Sequence, residues 1–183
     1  MKRLGFDLIL LGDSTSGKDT QALLLAKKYN VRLARSGEYL RKYWPKQYVQ
    51  GGVAPTKLIL PFVNQSLKGL KPNQNLIFVG AARLKVEAQY LVKQLNRLKR
   101  DFFVIYIRLP RNEVIKRSLL RSARQEDKDL ILINKRIKYY KEQVGKTVEY
   151  YQGLHKLKFI NGKQSINKVT KDIQKVINDY SRS

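Results

Sequence analysis

The chain has no cysteine and a single histidine, His155, among its 183 residues. Disulfides, thiol catalysis and cysteine-based zinc sites are therefore excluded, and a histidine metal cluster has no residues to build it. One histidine near a helix end reads as a surface or packing residue. No run of about 18 apolar residues occurs, which excludes a membrane-spanning helix. The opening Met1-Lys2-Arg3 lacks the small-residue cleavage site of a signal peptide, so a cytoplasmic location is expected. Acidic residues are scarce: 14 Asp plus Glu stand against 38 Lys plus Arg, a net charge of +24. Such an excess attracts anions and speeds their encounter. Polyphosphates or RNA are the candidate partners, and a general bias toward Lys, Ile, Asn and Tyr is the plainer alternative. The basic residues are dispersed, not gathered into a tail.

What is present is ordinary for a globular chain: 43% hydrophobic and 28% charged residues, in a length that fits one domain. No repeat, low-complexity segment or linker divides it, so residues 1–183 are expected to form one domain and a monomer. One stretch organises the rest, Leu8-Ile9-Leu10-Leu11-Gly12-Asp13-Ser14-Thr15-Ser16-Gly17-Lys18-Asp19-Thr20-Gln21. A short apolar run bounded by Gly12 reads as a buried parallel strand. The spacing Gly-x-x-x-x-Gly-Lys that follows reads as a phosphate-binding loop. Its glycines, Gly12 and Gly17, let successive backbone N–H groups of the loop curl inward around an anion. The next helix points its positive end at the same place. Lys18 would reach terminal phosphates, and the Thr20 hydroxyl would hold Mg²⁺. An ordinary turn between two elements is the alternative.

Taken in order, strands are expected over Gly5–Leu11, Val31–Ala34, Leu76–Val79, Phe102–Leu109 and Lys158–Ile160. Helices are expected over Asp19–Tyr29, Gly37–Trp44, Thr56–Leu67, Leu84–Lys99, Arg111–Arg124, Lys128–Tyr151 and Ile166–Tyr180. Alternating strands and helices imply right-handed crossovers: a parallel sheet of about five strands with helices on both faces, a three-layer α/β fold. Ligands of such sheets lie beyond the carboxyl ends of the strands. There the sequence offers Ser36 and Arg41 after the second strand, and Gly80 and Arg83 after the third. Ser36 reads equally as a helix N-cap, and the arginines as surface residues. Together they supply a hydroxyl and two guanidiniums for a second, smaller anion. Arg117, Arg121 and Arg124 recur at three and four along the next helix, with Arg136 beyond. The acids near them in sequence are Glu126, Asp127 and Asp129. A solvated stripe is the alternative to a cluster that neutralises a transferring phosphoryl group.

Nearly end to end, these segments resemble the adenylate kinase family of nucleoside monophosphate kinases. Gly17-Lys18-Asp19-Thr20-Gln21 is similar to the family's Gly-Lys-Gly-Thr-Gln. Ser36-Gly37-Glu38-Tyr39-Leu40-Arg41 resembles its Thr-Gly-Asp-x-Leu-Arg, and Gly51-Gly52-Val53-Ala54-Pro55-Thr56 its acceptor-base loop. Gly80-Ala81-Ala82-Arg83 stands for Gly-Phe-Pro-Arg, and Arg124 with Glu126 and Asp127 for Arg-x-Asp-Asp. Lys135-Arg136 resembles a later Lys-Arg, and Phe159-Ile160-Asn161-Gly162 the strand end near the donor base. The resemblance implies a P-loop NTPase-type fold with an acceptor-binding region over about 35–68 and a vestigial lid over about 121–127. It implies ATP held by Gly12, Thr15, Ser16, Gly17, Lys18, Asp19, Thr20, Arg117, Arg121 and Gln164. It places the acceptor against Ser36, Arg41, Ala54, Gly80, Arg83 and Glu87. Lys18, Arg83, Arg121, Arg124 and Arg136 would be the catalytic cations, and Mg²⁺ the cofactor.

Several positions depart from the pattern. Val79 stands where the family carries an aspartate that orients Mg²⁺, so Asp13 or Asp19 is the candidate replacement; mere repulsion of phosphate is the alternative for both. Glu87 replaces the glutamine that reads the acceptor adenine, leaving CMP beside AMP as acceptors. Ala82 replaces a proline, and only Ser122 and Ala123 separate Arg121 from Arg124. The expected activity is transfer from Mg-ATP to a nucleoside monophosphate, giving ADP and a nucleoside diphosphate. The rival is a weak kinase or slow ATPase that binds RNA or a ribosomal partner.

Overall fold

A computed structural model describes residues 3–45, 54–71, 73–121 and 129–182. Strand β1 spans Asp7–Gly12 and helix α1 Lys18–Tyr29. Then come β2, Arg32–Arg35, and α2, Ser36–Tyr43. Helix α3 covers Thr56–Leu67, β3 Leu76–Val79 and α4 Lys85–Arg97. Strand β4 runs Phe102–Arg108 and α5 Arg111–Leu120. Helix α6, Leu130–Tyr139, passes through a π turn at Tyr140–Val144 into α7, Gly145–Gly153. Strand β5, Leu157–Asn161, and α8, Ile166–Tyr180, follow.

All pairings are parallel, in the order β2-β3-β1-β4-β5. Because side chains alternate along a strand, each central strand feeds two cores. Ile9, Leu11, Phe78, Val104 and Tyr106 face one side, under α3, α4 and α7; Leu8, Leu10, Ile77, Ile105 and Ile107 face the other, under α1 and α8. This is the three-layer α/β arrangement of P-loop NTPases. The order puts β1 at the centre, so its loop lies beside the ends of both β3 and β4. Among the described residues no helix is long and apolar enough to cross a membrane.

Two helices differ from expectation. The one expected over Lys128–Tyr151 is interrupted by the π turn, in which Tyr140 and Val144 are both buried. The one expected to reach Arg124 ends at Leu120, with Arg121 as its C-cap. Arg124, the rest of the short lid, and Gly51-Gly52-Val53 lie outside the described residues.

The amino ends of the strands are tied by one acid. Asp7 is fully buried, and its Oδ1 accepts from the Leu76 N–H at 2.8 Å. Arg100 donates to it twice, through Nε at 2.6 Å and Nη2 at 2.7 Å. Nη2 also donates to the Gln74 carbonyl at 2.8 Å. Breaking such a pair leaves a buried charge uncompensated. Arg100→Ala is therefore expected to cost about 3 kcal/mol of stability, read as a lowered urea midpoint with an unchanged slope.

Candidate functional site

The loop after β1 owes its shape to side-chain-free positions. A Cβ on Gly12 would lie 2.7 Å from the Ile107 carbonyl oxygen and 2.7 Å from Ser16 Oγ, so no other residue fits there. Thr15 (φ 55°) and Gly17 (φ 83°) take the left-handed conformation that turns the chain inward. Gly17 is the N-cap of α1 and offers no side chain to its first N–H groups. They are left facing the loop, as anion-binding helix starts do. Ser16 Oγ is buried with no hydrogen-bond partner among the described residues, and an anion in the loop could satisfy it.

Three expected residues, each from a different segment, meet around Gly80. Its N–H donates to the Leu10 carbonyl at 3.0 Å, which presses the end of β3 against β1. Its φ is +65°, and a Cβ on it would lie 3.0 Å from Arg83 Nη2, 3.3 Å from Lys18 Cε and 3.7 Å from Ser36 Oγ. Ser36 is the first residue of α2, not its cap. Its hydroxyl donates instead to the Gly80 carbonyl at 2.9 Å, with the Val79 carbonyl at 3.2 Å. Arg83 Nε donates to the Gly80 carbonyl at 2.7 Å, and the Arg83 carbonyl accepts from Thr147 Oγ1 at 2.7 Å. Between them Ala82 adopts φ 54°. A proline ring fixes φ near −65° and could not take that angle, so the missing proline goes with a differently shaped turn.

The electrostatics of the cluster follow from burial. Burial pulls the Lys18 ammonium below its ordinary pKa, and Arg83 adds to the effect while Tyr140 opposes it. The Tyr140 ring lies 5.7 Å from the Arg83 guanidinium. Burial alone would raise the Tyr140 phenol, but Arg83, Lys18 and Arg136 outweigh it and hold the phenol below its usual value. Val79, which ends β3, is 3% exposed and packs with Leu10, Ile77 and Ile105 in an apolar core.

A cavity of about 380 Å³ opens beside this cluster. Thr15, Gly17, Lys18, Asp19 and Thr20 line one wall; Arg117, Leu120 and Arg121 line the other. Arg117 Nε donates to Glu113 Oε1 at 2.6 Å and its Nη2 to the Gly162 carbonyl at 3.2 Å, which ties α5 to the end of β5. Glu113, one turn upstream of Arg117, was the nearby acid that sequence reading missed; the i,i+4 spacing was its signal. Gln164 is not brought to this cavity. Its amide donates to the Asn161 carbonyl at 2.8 Å and to Asp172 Oδ2 at 2.9 Å.

The two loop acids separate. Asp19 lines the cavity with the exposed Thr20, and its half-exposed carboxylate lies 3.7 Å from Arg35 Nη2. Asp13 turns the other way: Oδ1 accepts from the Tyr106 hydroxyl at 2.7 Å and Oδ2 from the Leu109 N–H at 2.6 Å. Thr20 and Asp19 are the hard oxygen donors that suit Mg²⁺ beside phosphates. Among the described residues no three His, Cys, Asp or Glu side chains gather as a metal cage. Arg136, 8% exposed, reaches the back of the loop, where Nη1 donates to Ser14 Oγ at 3.2 Å. Arg41 sits exposed on α2, and Ala54 packs half-buried against the core ahead of α3.

Glu87 is 2% exposed and both of its oxygens are engaged. Oε1 accepts from the Thr56 hydroxyl at 3.2 Å; Oε2 accepts from the N–H groups of Arg83 at 3.0 Å and Leu84 at 3.2 Å. It thus closes the start of α4 and fixes the Arg83 backbone. Burial nevertheless raises its pKa above the ordinary value, against the pull of those bonds. The neutral form is favoured in the fold, so stability falls as pH rises through the raised pKa. Glu87→Gln keeps an acceptor for both N–H groups and a donor for Thr56. It is expected to be more stable than the parent at about pH 8, the gap closing toward about pH 4, in urea titrations across pH.

Known proteins resemble the chain over nearly its whole length. The family described as the AAA domain matches residues 11–131. The adenylate kinase of Prochlorococcus marinus (strain MIT 9515) is 30% identical, over 91% of this chain and 96% of its own. That of Parabacteroides distasonis is 29% identical, over 94% and 98%. That of Synechococcus sp. (strain JA-2-3B'a(2-13)) is 28% identical, over 96% and 98%. With the phosphate loop, the parallel sheet and near full-length similarity all in place, the chain belongs to the adenylate kinase family of P-loop nucleoside monophosphate kinases.

Proposed function

We propose that the protein transfers the terminal phosphoryl group of Mg-ATP to a nucleoside monophosphate, AMP foremost, giving ADP and a nucleoside diphosphate. The observation that carries this is the meeting of Lys18, Ser36 and Arg83 around Gly80. A lysine of the phosphate loop and an arginine from the end of the neighbouring strand lie within a few ångströms of one point. Two phosphates held by those residues would be brought into line for transfer. Lys18 and the loop N–H groups hold the donor phosphates, with Arg117 and Arg121 across the cavity. Arg83 and Arg41 hold the acceptor phosphate, and Ser36 and Glu87 fix the backbone beneath it. Arg121, Arg136 and Arg124 spread the charge of the transferring group. An acceptor phosphate oxygen forms the new bond to phosphorus as the bond to the ADP oxygen breaks, and no general base is required.

Thr20 and Asp19 would hold Mg²⁺, which would supply neutralising charge at the donor phosphates, and Asp13 would not hold it. Glu87 spends its oxygens on backbone and Thr56, so it does not single out adenine, and CMP stands beside AMP as an acceptor. The chain would act as one domain and one cytoplasmic monomer. The apolar packing of Val79 and the +24 charge favour a second reading, a slow ATPase that binds RNA or a ribosomal partner.

One assay separates the two: Mg-ATP with AMP, CMP and UMP in turn, both products measured. Lys18→Ala and Arg83→Ala are each expected to lower kcat/KM by about 10²-fold or more. Hydrolysis indifferent to acceptor and to Arg83→Ala, or RNA binding that weakens steeply with salt, would favour the second reading. Gly80→Ala forces a left-handed alanine against Arg83, at about 1–2 kcal/mol of stability, and is expected to abolish most transfer while the circular dichroism spectrum stays native. Asp19→Asn is expected to raise the Mg²⁺ concentration for half-maximal turnover, and Asp13→Asn to leave it unchanged.

A further inference from the structure

Behind the phosphate loop lies a second cleft, of about 390 Å³, that shares no lining residue with the donor cavity. It opens between the start of α5, the α6–α7 run and the carboxyl ends of β4 and β5. Its floor is apolar and aromatic: Leu109, Val114 and Val148 with the rings of Tyr106, Tyr140 and Phe159. Its cations are Arg108, Arg111, Arg136 and Lys141, against one acid, Asp13, whose two oxygens already accept from Tyr106 and Leu109.

The arginine of β4 gives the cleft its character. Arg108 is the one exposed residue of that strand, and its guanidinium carbon lies 3.4 Å from the centroid of the Phe159 ring. Tyr106 meets the same ring edge-on, 5.9 Å between centroids. A guanidinium seated over an aromatic ring can take a further flat ring on its outer face. Inorganic phosphate would leave the apolar floor unfilled, and an uncharged ring would leave the cations unanswered. A phosphorylated heteroaromatic satisfies both. The volume lies near the lower end of small-molecule sites, about 300–1,000 Å³, which fits one nucleotide and not two joined ones.

We propose that this cleft binds a third nucleotide, a nucleoside phosphate whose base stacks at Arg108 and Phe159 and whose phosphate faces Arg111 and Lys141. This goes beyond the transfer reaction and does not depend on it. The occupant touches the phosphate loop from behind, at Asp13 and at Ser14, whose hydroxyl accepts from Arg136. Its binding is thereby linked to the loop that would hold the donor.

Equilibrium dialysis of labelled AMP and labelled ATP against the Lys18→Ala/Arg83→Ala variant tests it, because the donor and acceptor sites are then weakened. One nucleotide per chain is expected to remain, and adding Arg108→Glu with Lys141→Glu is expected to weaken it by about tenfold or more. Phe159→Leu, which keeps the apolar volume and loses the ring, is expected to weaken it as well. With Lys18 and Arg83 intact, Arg108→Glu/Lys141→Glu is expected to keep its melting temperature and basal transfer. The proposal is overturned if the Lys18→Ala/Arg83→Ala variant binds no nucleotide, if the charge reversals leave binding unchanged, or if equimolar inorganic phosphate displaces the nucleotide. Failure of the kinase reading would show elsewhere, as transfer unaffected by Lys18→Ala.

Discussion

A half-buried lysine beside an arginine is electrostatically costly, and this protein builds its site on that juxtaposition. Lys18 and Arg83 both come within 3.3 Å of the place where a Cβ of Gly80 would stand. In a low-dielectric setting two such cations repel strongly, and the lowered pKa of Lys18 reflects burial and that repulsion. Their neighbours hold them there. Arg83 is pinned by the Gly80 carbonyl and its own backbone by Thr147 and Glu87, while the Tyr140 ring lies against its guanidinium. A cluster kept positive and in place suits an incoming polyphosphate, because the reorganisation is done before the anion arrives.

The rest of the fold serves to hold those groups still. With β1 in the middle of the sheet, the loop after it is flanked by the turn after β3 and the end of β4. Alternating apolar residues on β1, β3 and β4 lock the sheet between two cores. Asp7 and Arg100 fasten the opposite ends of the same strands. The rigid end carries a buried ion pair, and the functional end carries cations and glycines. The two demands are kept about a strand's length apart.

The elements were readable because their signals are local. The apolar run ending at Gly12, the three-and-four spacing of α8 and the strand Leu76–Val79 each need only neighbouring residues to be recognised. The convergence of the strand ends was readable too, since a parallel sheet with right-handed crossovers leaves few other topologies. What could not be read was how each polar group would spend its bonds. Asp13 and Asp19 look alike in the loop, yet one is taken by Tyr106 and Leu109, 93 and 96 residues away, and the other faces the cavity. Glu87 reads as a ligand residue, but it closes the start of α4. Gln164 is likewise consumed by its own turn.

The sequence by itself determined the phosphate loop, the order of strands and helices, and the surplus of positive charge, because chain-local sterics, periodicity and composition set them. Only the tertiary structure decided that Ser36 bridges to Gly80 instead of capping α2, that a π turn carries Tyr140 to Arg83, and that Arg108 sits over the Phe159 ring. Those outcomes depend on which groups burial brings within hydrogen-bonding or stacking distance. For residues tens of positions apart, that distance is fixed by the packing of the whole sheet.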